Sequence, residues 1–197
     1  MNASQLWRET PGARFHSAVT LLALFTCWSV SIPGTHFFAS VASLLAWMVL
    51  GGLWTTRWIA WCCIHRVWTR GDAPLQCSSL RWALAPGIGL LALGAVVSDG
   101  PMYLRFLMSR PALERAASEL MAGARDPRRD SVGRERIGLF LVERQEAFPG
   151  GARFLVADSG FLDPCGFAYS VLGEPLRRGE DQYLPLLGKW YRWRESW

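Results

Sequence analysis

Two carboxylates, Asp158 and Asp163, and one thiol, Cys165, stand close together in the second half of this chain. Paired carboxylates can share acid and base work, because one holds a proton while the other accepts one. A plainer role competes. Asp163-Pro164-Cys165-Gly166 has Asp, Pro and Gly at the first, second and fourth positions of a type I turn, and Asp158 follows a strand-like run. Turn formation is the favoured role for both. Cys165 could attack as a thiolate, yet nothing beside it in sequence lowers its pKa, so a half-buried turn thiol is expected.

Histidine narrows the chemistry further. His16, His36 and His65 all lie in or beside the apolar first half, and none follows. The second half alone therefore lacks a Ser-His-Asp or Cys-His apparatus and any His-containing metal site. Cys62, Cys63, His65 and Cys77 cluster in sequence, but their spacing fits no zinc pattern. Packed or interfacial thiols are expected there, with acylation of Cys62 or Cys63 chemically open. No Gly-rich phosphate loop or dinucleotide fingerprint is present. No catalytic residue, metal or cofactor is assigned. The candidate binding residues are Asp163, Cys165, Tyr169, Trp190, Tyr191 and Trp193. The terminal aromatic residues, with Trp197, either form a binding face or close a core or rest on lipid headgroups; the latter two are favoured.

These residues need elements to hold them, and charge divides the chain in two. Residues 1–100 hold six Arg and three acids, whereas residues 101–197 hold fifteen basic residues and thirteen acids. The second half has the mixed charge of a water-facing surface, and no basic stripe that would suit nucleic acid. Lys189 is the single Lys beside twenty Arg. We read that bias as the base composition of a GC-rich bacterial genome. The five Cys are odd in number and irregularly spaced, so no disulfide framework is expected.

From Phe15 to Thr56 there are 42 residues without Asp, Glu, Lys or Arg, enough for two membrane spans. Ile32-Pro33-Gly34-Thr35 interrupts the run as a hairpin would. Spans at about 16–32 and 37–54 are expected; a signal peptide is the alternative for the first. Residues 82–98 supply a shorter third span containing Pro86 and three Gly. Ala85 and Gly89 make a small-residue face for a neighbouring helix, either from the same chain or from a partner or second copy. Trp58–Trp68 either prolongs the second span or lies flat at the interface, the latter preferred. The Arg-rich N-terminal segment (1–15) and 55–81 loop place the N-terminus in the cytoplasm and the C-terminal domain outside a bacterial cell membrane.

Residues 99–197 read as a small α+β domain. Ser109 as N-cap and Pro111 in the first turn predict a helix over about 110–123, with Leu113, Ala116, Ala117, Leu120 and Met121 on one face. Strands are predicted at about 137–143, 152–158, 166–170 and 189–195, forming an antiparallel meander. In the last strand Trp190, Arg192 and Arg194 alternate with Tyr191 and Trp193.

The stretch Gly160–Ser170 (GFLDPCGFAYS) and the ending Gly188–Trp193 (GKWYRW) resemble the tail of uncharacterised small bacterial membrane proteins. The resemblance covers roughly the last third of the chain and implies a recurring module; it carries no activity or site residue. The expected function is that of a non-enzymatic membrane-anchored accessory or interaction protein. A carboxylate-dependent enzyme or transporter subunit, using Asp158, Asp163 and Asp99, is the alternative. The lipid bilayer is the expected partner, and nucleic acid is not.

Overall fold

A computed structural model describes residues 11–68, 79–123, 134–160, 163–176 and 179–195, with backbone alone at 64–68 and 79. Residues 1–10, Cys77, Trp197, most of the polar linker after Gly123 and the side chain of His65 lie outside the described residues. The chain forms two compact units. One is Met1–Trp28 with Val41–Ser98; the other is Ser29–Ser40 with Asp99–Trp197.

The first unit is helical: α1 is Ala13–Ser29, α2 is Phe37–Trp68 and α3 is Ser79–Val97. Two of these are long and apolar enough to cross a membrane, over Phe37–Cys63 and Leu80–Val97. The remaining expected span, at about 16–32, forms α1, which has 17 residues. That is the lower end of the roughly 17–25 residues a span uses. The expectation that Trp58–Trp68 forms a separate interfacial helix is corrected. No Pro or turn signal follows Trp54 until after Trp68, so the α-helical hydrogen bonds run on unbroken.

Some polar groups inside this unit pair its helices. Thr26 Oγ1 donates to the Leu22 carbonyl at 2.8 Å, lies 2.6 Å from Ser43 Oγ, and accepts from Trp47 Nε1 at 2.9 Å. Pro86 lacks an N–H, so the Trp82 carbonyl four residues back has no helical donor. Trp54 Nε1 donates to that carbonyl at 3.3 Å. Ala85 is buried, and a Cβ on Gly89 would sit 3.5 Å from the Trp47 ring, so this small-residue face packs within the chain.

The second unit pairs one helix with one sheet. Its helix, α4, runs Gly100–Met121, ten residues earlier than expected. Pro101 fits the first turn, where its missing N–H costs nothing. Ser109 is therefore no N-cap but a fully buried interior residue. Its hydroxyl donates to the Arg105 carbonyl at 2.8 Å and accepts from the Leu139 amide at 3.0 Å. The buried face is Met102, Phe106, Ser109, Leu113, Ala116, Ala117 and Leu120, while Met121 is exposed.

The six strands are β1 Glu135–Ile137, β2 Phe140–Phe148, β3 Gly151–Val156, β4 Cys165–Ser170, β5 Gln182–Leu187 and β6 Trp190–Arg194. All pair antiparallel in the order β1-β2-β3-β4-β6-β5. The expected meander is corrected at both ends. The apolar run from Ile137 to Val142 is split by Gly138, whose φ of +61° closes a tight turn. At the other end β6 inserts between β4 and β5. Pro185 hides β5 from a sequence reading, because Pro cannot donate to a ladder; β5 is an edge strand, where that loss is tolerated.

One sheet face packs on α4 through Phe106, Phe140, Phe154, Phe167 and Trp190. The Phe106–Phe167 and Phe140–Phe167 ring centroids lie 5.2 and 4.9 Å apart, an aromatic core worth several kcal/mol. The other face holds a smaller cluster of Leu155, Ala168, Tyr183 and Trp193.

Candidate functional site

Antiparallel pairing brings Cys165, Arg194 and Gln182 into one cross-strand row, and Phe167, Arg192 and Leu184 into the next. The aromatic half of this face lies under α4. Beside its other half sits the hairpin, and the space left is a cleft of about 490 Å³. Its lining includes Gly34, Thr35, Phe37, Asp163, Cys165, Gln182, Leu184, Arg192 and Arg194.

The hairpin is held from several directions. Gly34 and Thr35 both take left-handed φ values, +81° and +60°. The Gly160 amide donates to the Thr35 carbonyl at 3.1 Å. A Cβ on Gly34 would lie 2.6 Å from Cys165 Sγ, so only glycine lets the turn approach this closely. Arg105 donates to Ser31 Oγ at 2.8 Å and to the Leu139 carbonyl at 2.6 Å, with its guanidinium 4.8 Å from the Phe140 ring centroid. Ile32 joins the core itself.

Two arginines face the cleft with different partners. Arg194 donates through Nε to Asp163 at 2.8 Å and through Nη2 to the same oxygen; that bonding raises its pKa further. Arg192 donates from Nη1 to Asp99 at 3.1 Å. Burial pushes the Cys165 thiol above its ordinary range, although Arg194 and Arg192 pull the other way. The thiol's contact is with the Asp163 carbonyl at 3.3 Å. A protonated, buried thiol is a poor nucleophile. Ser159 pins the loop: its hydroxyl lies 2.6 Å from both the Val156 and Cys165 carbonyls, donating its one proton to either, and accepts from the Cys165 amide.

No family model, curated protein or solved structure matches this chain.

The six sequence-selected residues separate into three places. Asp163 and Cys165 line the cleft, and Trp193 borders it while its buried ring belongs to the cluster of the opposite face. Tyr169 and Trp190 belong to the α4-side core, with ring centroids 5.1 Å apart. Tyr191 packs on the cluster of the opposite face. Asp158, the other proposed carboxylate, is paired with Arg134 at 3.0 Å. Among the described residues no group of three or more His, Cys, Asp or Glu is placed to hold a metal ion.

The opposite face carries a buried ionic network that the sequence did not suggest. Arg153 and Asp181 are each 5% exposed. Arg153 donates to Asp181 at 2.9 Å, to Tyr183 at 3.2 Å and to Glu146 at 3.0 Å, with its guanidinium 4.8 Å from the Trp193 ring centroid. Burial works against its charge, but Tyr183, Glu146 and Asp181 together raise its pKa. The guanidinium is occupied by partners from the same unit, and removing one of them would leave its buried charge less well matched. Gly34, Thr35, Gln182, Leu184, Arg192 and Arg194 entered the cleft unselected. The alternation along β6 pointed to the arginines, but nothing local linked residue 34 to residue 165.

Proposed function

We propose that this chain is a non-enzymatic, membrane-anchored accessory or interaction protein that presents its α+β unit outside the cytoplasm of a bacterial cell. One observation carries the reading: the carboxylates that would do chemistry stand apart, each beside an Arg, and Asp158 does not line the cleft that holds Asp163. Asp163 is taken by Arg194, Asp158 by Arg134 and Asp99 by Arg192. The thiol of Cys165 is buried and its pKa raised, first by desolvation.

A three-span arrangement accompanies this proposal. The hairpin Ser29–Ser40 belongs to the same compact unit as the sheet. An even number of crossings between the hairpin and the sheet, as α2 and α3 together would give, fits that shared unit. The six Arg of the N-terminal segment and the 55–81 loop then favour a cytoplasmic N-terminus.

Replacing Asp158 and Asp163 together with Asn tests the first part. We expect the cellular phenotype to survive wherever the protein is folded and inserted. Its loss in a folded, inserted variant would favour the carboxylate-dependent enzyme or transporter instead. A reporter joined after Trp197 tests orientation: activity confined to the cytoplasm would reverse it.

A further inference from the structure

The cleft beside the hairpin holds more hydrogen-bond donors than its own acceptors use. Arg192 commits Nη1 to Asp99 and keeps Nε and Nη2; Arg194 commits Nε and Nη2 to Asp163 and keeps Nη1. The amide of Gln182, paired across from Arg194, adds donors to the same lining. With Asp99 counted, the charges balance, so the strength of the two pairs decides whether a ligand can enter. The Asp99 side chain is 60% exposed against 32% for Arg192, whereas that of Asp163, held by Arg194, is 22% exposed. The Arg192–Asp99 pair, a single hydrogen bond to a solvated carboxylate, is the weaker one, so an entering anion displaces Asp99 at little cost while Arg194 adds its remaining Nη1. The buried Arg153–Asp181 pair offers no such exchange.

The other wall is apolar. Phe37 and Leu184 are both exposed at the cleft. Phe37 is also the first residue of the apolar stretch Phe37–Cys63. On the membrane-anchored reading, on which this inference rests, that residue marks the level at which α2 enters the bilayer. Guanidinium forks match phosphate oxygens, and an apolar wall at headgroup depth suits the carbons next to the phosphate.

We propose that the cleft binds the phosphate of an anionic membrane lipid, with Arg192 and Arg194 donating to it and Phe37 and Leu184 against its glycerol and first acyl carbons.

The test uses the full chain in phosphatidylcholine nanodiscs doped with phosphatidylglycerol, with retained lipid read by native mass spectrometry after release into detergent. Phosphatidylglycerol should be retained in preference to phosphatidylcholine. Arg192→Gln with Arg194→Gln removes at least two charge-assisted hydrogen bonds and should lower that retention by at least about tenfold. Asp99→Asn, which frees Arg192, should raise it, and serves where the double variant fails to fold. Equal retention by wild type and the folded double variant, or lower retention by Asp99→Asn, overturns the proposal. Inorganic phosphate separates the two sources of the group: displacement of the lipid by micromolar phosphate assigns the cleft to the free ion and overturns the lipid. A chain that does not enter nanodiscs overturns the membrane reading together with this one, whereas entry without lipid preference overturns this one alone.

Discussion

The amide of Gly160 donates to the carbonyl of Thr35 across 3.1 Å, tying the hairpin between α1 and α2 to the loop that precedes β4. With Arg105 on Ser31 and Ile32 in the core, this makes residues 29–40 a working part of the C-terminal unit. Residues 99–197 expressed alone should therefore be less protected than the same residues in the full chain. Proteolysis of the two, followed at Cys165 by thiol labelling, checks this. Equal protection would mean the hairpin adds nothing.

Gly34→Ala isolates the same contact at one atom. The new Cβ meets Cys165 Sγ at 2.6 Å, at a backbone φ of +81° that L side chains rarely adopt. A cost of about 1–3 kcal/mol is expected, with faster maleimide labelling of Cys165. Unchanged labelling would show that the turn yields without moving the thiol.

The buried Arg153 network should respond asymmetrically. Asp181→Asn leaves a guanidinium that is 5% exposed with one fewer carboxylate, and breaking a buried pair this way costs about 3–5 kcal/mol. Removing Arg153 and Asp181 together, as Arg153→Met with Asp181→Leu, should cost less than Asp181→Asn alone. Thermal midpoints of the three proteins decide it.

Trp54 and Pro86 should be coupled. Trp54→Phe strips the Trp82 carbonyl of its donor, at a cost of about 1 kcal/mol. Pro86→Ala supplies a backbone N–H for the same carbonyl, so in that background Trp54→Phe should cost close to nothing. A double-mutant cycle of unfolding in detergent gives the coupling, and additive losses would sink the assignment.

Alkaline pH should weaken the C-terminal unit through Cys165 and Tyr183, whose pKa values are both raised, in each case first by burial. The folded state then holds protons that the unfolded state releases earlier. Stability is complete below the unfolded thiol value of about 8.5 and falls as pH climbs past it toward the folded one. Thermal midpoints from neutral to alkaline pH should fall less steeply for Cys165→Ala than for the wild type.

The local pattern of the chain determined its division into apolar helices and a mixed-charge α+β unit, because periodicity and charge are properties of neighbouring residues. It determined the stop after α4 at Gly123 and the alternation of Trp190, Arg192 and Arg194 with Tyr191 and Trp193. It misjudged the start of α4, since Pro111 stands inside that helix where a Pro most often opens one. It also passed over β5, whose Pro185 is tolerated at a sheet edge that only the assembled sheet defines.

The cleft belongs to tertiary structure alone. Its walls come from a hairpin near residue 34, a turn at Asp163 and two strands paired out of sequence order. No local rule carries the distance between them. Gly34 reads in sequence as a turn residue; that it must be glycine because Cys165 lies against it is decided only when the chain is folded.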